Sequence, residues 1–137
     1  APRAVEPLLR WLSREPDDAD ARHLLADHYL GRGQDEDARE QLEILIRQTP
    51  NDVVALNNLA WLLRETDKDR AEQLAVQARA IAPDNPAVAD TLGTILLANG
   101  KVAEALAALK RAATALPDDR SVQGHYAEAL RRVEGSR

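Results

Sequence analysis

The chain of 137 residues is long enough for one domain with a buried core, and a third of it is alanine (25) and leucine (20), with no Phe, Met or Cys. Its formal net charge is −5 and its 15 arginines are scattered, which argues against the concentrated basic stripe that nucleic acid or an anionic membrane surface requires. Without cysteine there is no disulfide scaffold, thiolate metal site, iron–sulfur cluster or thiol catalysis, and no apolar run approaches the roughly 20 residues of a membrane span. There is no signal-peptide pattern, and because the chain begins Ala1-Pro2 with no Met anywhere it is expected to be a processed or excised piece of a longer protein.

Four prolines set the organisation. Pro16, Pro50, Pro83 and Pro117 are 34, 33 and 34 residues apart, and each is followed by a polar pair: Asp17-Asp18, Asn51-Asp52, Asp84-Asn85 and Asp118-Asp119. A proline ends one helix, and the Asp or Asn after it caps the next by accepting from orphan backbone N–H groups. Helix starts are therefore predicted near residues 19, 53, 86 and 120, the third led by Pro86 at a position where a missing donor costs nothing. Between them lie second breaks at Gly31-Arg32-Gly33, Thr66-Asp67 and Asn99-Gly100, so each unit reads as helix, tight turn, helix. Helices of about 13 residues do not stand alone in water, and stacking on neighbours must stabilise them.

Residues 86–119, with Leu92-Gly93, Leu96, Gly100, Ala105, Leu109, Ala112 and Pro117, resemble the tetratricopeptide repeat (TPR) along its whole length. Residues 19–52 match it with Leu25-Ala26, Tyr29, Gly33, Ala38, Leu42 and Pro50, although Leu45 replaces a small residue. Residues 53–85 match with Leu59-Ala60, Leu63, Ala71, Ala75, Ala78 and Pro83; this unit lacks one residue and the turn glycine, which predicts a differently shaped turn at Thr66 to Lys68. Ala26, Ala60 and Gly93 stand where paired helices cross, and a larger side chain would push them apart. Ala4, Leu8 and Trp11 in residues 1–16 fall on second-helix positions of a unit without its first helix, and residues 120–133, with Tyr126-Ala127 and Leu130, match only a first helix. The expected fold is an all-α superhelical solenoid of antiparallel helix pairs with about eight helices, closed by a helix carrying Arg131, Arg132 and Glu134 outward. Trp11, at a normally small position, is either an end-cap filler or the scar of an interface with upstream repeats.

The TPR resemblance implies a concave face lined by the first helices, where partners bind as extended peptides or short helices. Helical spacing places there Asp20, His23, Asp27 and Leu30, then Asn57, Asn58, Trp61 and Arg64, then Asp90, Thr94 and Leu97, and last His125, Glu128 and Arg132. Trp61 lies off the core stripe and one turn from Asn57, as an interaction hot spot would; the alternative is that it packs on the neighbouring repeat. One TPR subclass grips the terminal carboxylate of chaperone tails with Lys, Asn and Arg, and His23 and Asp27 stand where that clamp needs Lys and Asn. With Asp20, Asp27, Asp90 and Glu128 on the face, a neutral or basic protein segment is the expected partner. One His beside one Asp is too few ligands for a metal, no nucleophile stands with a base, and there is no phosphate loop, so neither catalysis nor a metal or cofactor is expected.

The stretch Ala55 to Leu62 followed by Ala82 to Gly93 also resembles a subset of bacterial envelope TPR lipoproteins associated with exosortase and exopolysaccharide export. That narrower resemblance implies a scaffold in the periplasm or envelope, with the cytoplasm left open, and no membrane insertion by this segment. A purely architectural role, with the terminal helices stacking on further repeats or on another copy, is the other expectation.

Overall fold

The computed structural model describes residues 2–135, with side chains from Val5 onward. The expected packing role of Ala4 lies outside those side chains. Among the described residues there are eight helices and no strand: α1 (Pro2–Arg14), α2 (Ala19–Gly31), α3 (Asp35–Gln48), α4 (Val53–Leu63), α5 (Lys68–Ile81), α6 (Pro86–Ala98), α7 (Val102–Ala115) and α8 (Arg120–Gly135). The closest packing joins α2 to α3, α4 to α5 and α6 to α7, and each pair leans on the next. The architecture is an all-helical solenoid.

In every polar pair the second residue makes the cap. Asp18, Asp52, Asn85 and Asp119 accept from the N–H groups of Ala21, Ala55, Ala87 and Val122 at 3.0, 3.0, 2.9 and 3.1 Å. Two inner turns close with a left-handed glycine, Gly33 at φ 70° and Gly100 at φ 82°, after which the Gln34 and Lys101 N–H groups each bond a carbonyl five residues back, on Tyr29 and Leu96. The turn after α4 is built otherwise. There the Asp67 N–H bonds the Leu63 carbonyl at 2.9 Å and the Asp67 side chain caps α5 through the Arg70 N–H, with no left-handed residue.

The main core runs from Ala26 through α8, with Leu42, Leu45, Leu59, Ala60, Leu92 and Leu109 fully buried. Gly93 marks its tightest crossing: a β-carbon there would lie 2.5 Å from Leu109 Cγ and 3.3 Å from the Ala105 carbonyl oxygen. Leu45 shows that the position at which it replaces a small residue tolerates a larger one in the first pair, since it too is fully buried. Ion pairs tie neighbouring units: Arg70 on α5 bonds both carboxylate oxygens of Glu43 on α3, and Glu72 accepts from Asn99 and Lys101 at the α6–α7 turn.

At the N-terminal end, Val5 and Leu12 are buried against Ala21 and Leu25. Trp11 does not fill that end. It is 50% exposed, and its indole Nε1 donates to the capping residue Asp18 at 2.8 Å, so it braces the α1–α2 turn. On α8, Arg131, Arg132 and Glu134 are exposed, and so is Leu130.

Candidate functional site

Helices α2, α4, α6 and α8 present one continuous face, and it divides into two recesses. The first, between α2 and α4, is lined by Asp20, His23, Leu24, Asp27 and Val54. Leu24 and Val54 are 61% and 56% exposed, an apolar pair set between the exposed carboxylates of Asp20 and Asp27. His23 Nε2 lies 2.6 Å from Asp52 Oδ2, while the other oxygen of Asp52 caps α4; one carboxylate thus starts a helix and fixes the imidazole.

The second recess, about 210 Å³, lies among α4, α6 and α8 and is lined by Asn57, Trp61, Asp90, Thr91, Ser121 and His125, among others. Trp61 is half-buried and has Arg64 and His125 as side-chain neighbours. The Arg64 guanidinium sits 4.1 Å from its ring centroid and donates to its carbonyl at 2.9 Å, and the His125 ring lies 6.0 Å away, tilted by 46°. His125 Nδ1 is in turn 2.8 Å from Asp90 Oδ1, so a chain of contacts runs Arg64–Trp61–His125–Asp90 across three helices. An aromatic anchor immobilised in this way loses little side-chain entropy when a partner meets it.

The structure therefore brings Asn57, Trp61, Arg64, Asp90 and His125 together and leaves His23 and Asp27 in the neighbouring recess. Asn58 and Thr94 are half-buried on α4 and α6 and line neither recess. Glu128 is occupied: it accepts from Arg131 and Arg132, and the Arg131 guanidinium holds its carboxyl below the usual glutamate range. Asn57 Oδ1 and Thr94 Oγ1 are shut off from solvent with no hydrogen-bond partner, an uncommon state for polar atoms. Among the described residues no three His, Asp or Glu side chains gather as a metal site would require, and no helix is long and apolar enough to cross a membrane.

Sequence reading missed Asp52 as the partner of His23, and Leu24 and Val54 as groove residues. Val54 had a usable signal, since it sits one turn before Asn58 on the exposed flank of α4. Asp52 had none beyond its cap, because its second role depends on how α2 and α4 lie side by side.

A profile described as tetratricopeptide repeat matches residues 4–61 and 62–129. A Pseudomonas aeruginosa protein described as TPR repeat-containing protein PA4667 is 31% identical over 131 residues, covering 92% of this chain and 22% of that protein. The chain thus spans about a fifth of that relative's length. Among solved structures it superposes on Pseudomonas aeruginosa pilF with a TM-score of 0.80 at 24% identity, over 97% of this chain and 61% of that one. A double mutant of MamA RS-1 gives 0.82 at 17% identity, over 95% and 74% of the two chains. The first TPR of Spaghetti (RPAP3), bound to the HSP90 peptide SRMEEVD, gives 0.76 at 17% identity, over 85% and 93%. At these identities the structures share a fold with this chain and nothing further. With both matched segments falling on the helices described above, the chain belongs to the tetratricopeptide repeat family.

Proposed function

We propose that this chain is a non-catalytic protein-interaction scaffold, with residues 19–52, 53–85 and 86–119 as its repeat units, and that the α2–α4–α6–α8 face grips a short segment of a partner protein. The observation that carries this reading is the braced, half-exposed Trp61 above a recess walled by Asn57, Asp90 and His125. It offers what hot spots offer, a rigid aromatic surface with polar groups at its edge.

The partner segment is neutral or basic. Asp20 and Asp27 expose carboxylates on the face, and His23 and Asp27 occupy the places where an acidic-tail clamp needs Lys and Asn. An acidic tail such as the one seated on the RPAP3 repeat would meet like charge here. A bacterial envelope assembly is the setting we favour, on the Asn57 to Trp61 and Asp84 to Ala89 strings alone. A second reading, stacking of the end helices on further repeats or another copy, draws on the exposed Leu9 and Leu130.

A pull-down from envelope and soluble fractions of the source cell tests the groove. The wild-type domain is expected to retain a protein that a folded Trp61→Ala, Asn57→Ala variant loses. Equal retention by both, or by neither, would remove the groove reading and leave end-to-end stacking.

A further inference from the structure

The four first helices carry different side chains at one equivalent position. Counting by the proline period aligns Arg22, Leu56, Ala89 and Gln123, which are 34, 33 and 34 residues apart. In α2, α4 and α8 the side chain is long and turned inward. Arg22 donates to the Pro16 carbonyl at 2.8 Å and to Gln41 Oε1 at 2.7 Å. Leu56 is 1% exposed within the main core. Gln123 reaches back to the carbonyls of Ala113 and Leu116 at 2.8 and 3.1 Å. Arg22 thus fills the slot between its proline turn and the helix that follows, α3.

In α6 the slot is open. Ala89 extends no further than a methyl group, and a cleft of about 540 Å³ lies between the Pro83–Pro86 turn and α7. It shares no lining residue with the Trp61 recess. Its walls are apolar where Pro83, Pro86, Ala89 and Ala107 meet, and its rim is cationic. Lys110 and Arg111 are exposed on that rim and form no ion pair among the described residues, against one carboxylate, Asp84. The amino end of α6, with its positive dipole, opens on the same space. A cleft with apolar walls and two exposed cations at its mouth is complementary to an apolar side chain flanked by negative charge.

We infer that this cleft is a second docking site, which takes one leucine-like side chain from a partner segment carrying carboxylates beside it. It goes beyond the groove reading and asks for the opposite charge, so the two sites discriminate between partners or between segments of one partner.

The test uses the whole chain and the peptide acetyl-Glu-Glu-Leu-Glu-Glu-amide, followed by amide and indole NMR shifts. Saturable shifts are expected at Ala89, Ala107 and Thr114, with the Trp61 indole unmoved. Ala89→Leu places a bulky side chain in the cleft wall and is expected to weaken binding by about tenfold or more, the effect of one buried leucine. Lys110→Glu with Arg111→Glu, a surface change that leaves packing untouched, is expected to do the same should Ala89→Leu disturb the fold. Binding that survives both variants, equal binding of acetyl-Lys-Lys-Leu-Lys-Lys-amide, shifts centred on Trp61, or no binding at millimolar peptide would each overturn the inference. Failure here leaves the Trp61 groove standing, because Ala89, Lys110 and Arg111 are not among the residues that line it.

Discussion

Gly93 is the residue on which the spacing of the solenoid depends most directly. A glycine inside a helix costs about 1 kcal/mol relative to alanine, so its presence in α6 needs a compensating gain. The gain is contact: the Leu109 branch carbon would sit 2.5 Å from an added β-carbon, and a branch point has no free end to swing away. Substituting Gly93→Leu is expected to lower stability by about 2 kcal/mol or more, through overpacking that parts α6 from α7. Asn57→Ala removes an amide oxygen that has no partner and is expected to cost under about 1 kcal/mol. Thermal or urea melts of the two variants check this, and a Gly93→Leu protein as stable as Asn57→Ala would refute the crossing geometry. This crossing was legible in advance, since a small residue recurs at Ala26, Ala60 and Gly93 at the proline period. The histidines were not. His23 and His125 find their carboxylates 29 and 35 residues away, and pairs at such separations follow from how whole helices lie side by side.

Between elements, carboxylates at the joints make stability depend on acid. Hydrogen bonds from the Arg70 guanidinium hold Glu43 below the ordinary glutamate value of 4.5, and the Asn99 amide, then Lys101, do the same for Glu72. A carboxyl depressed in the folded state contributes stability above its unfolded pKa, and that contribution is lost as pH falls through the lowered folded value. Melting temperature should therefore decline as pH drops below 4.5, and the decline should be shallower in Glu43→Gln, which carries no such linkage. Identical slopes for the two proteins would show that the α3–α5 joint contributes nothing to acid stability. Helix boundaries were the most legible elements, because a proline followed by Asp or Asn specifies both a stop and a cap through local chemistry. The side-by-side docking that creates the α3–α5 ion pair was not, since Arg and Glu are scattered over α1, α3, α5, α7 and α8 and nothing local selects one pair. Trp11 marks the same boundary: its spacing placed it toward a packing position, whereas hydrogen bonding to Asp18 drew it outward.

At the scale of the molecule, the helices form a solenoid whose first-helix face carries the recesses at His23 and Trp61. The face as a whole followed from the period, but its division into an apolar–acidic recess at His23 and an aromatic recess at Trp61 did not, because that depends on three helices meeting. The open slot at Ala89 was not legible in the sequence, because an alanine among 25 carries no signal until the fold shows that nothing else fills the space beside it. Site-specific photo-crosslinking tests the central claim most directly. One probe replaces Ser121, exposed on the rim of the Trp61 recess, and a control replaces Val76, exposed on α5. The account predicts a discrete adduct with a cellular protein from the Ser121 probe, abolished by Trp61→Ala, and none from Val76. An adduct from Val76 with none from Ser121 would place the interaction elsewhere and contradict it.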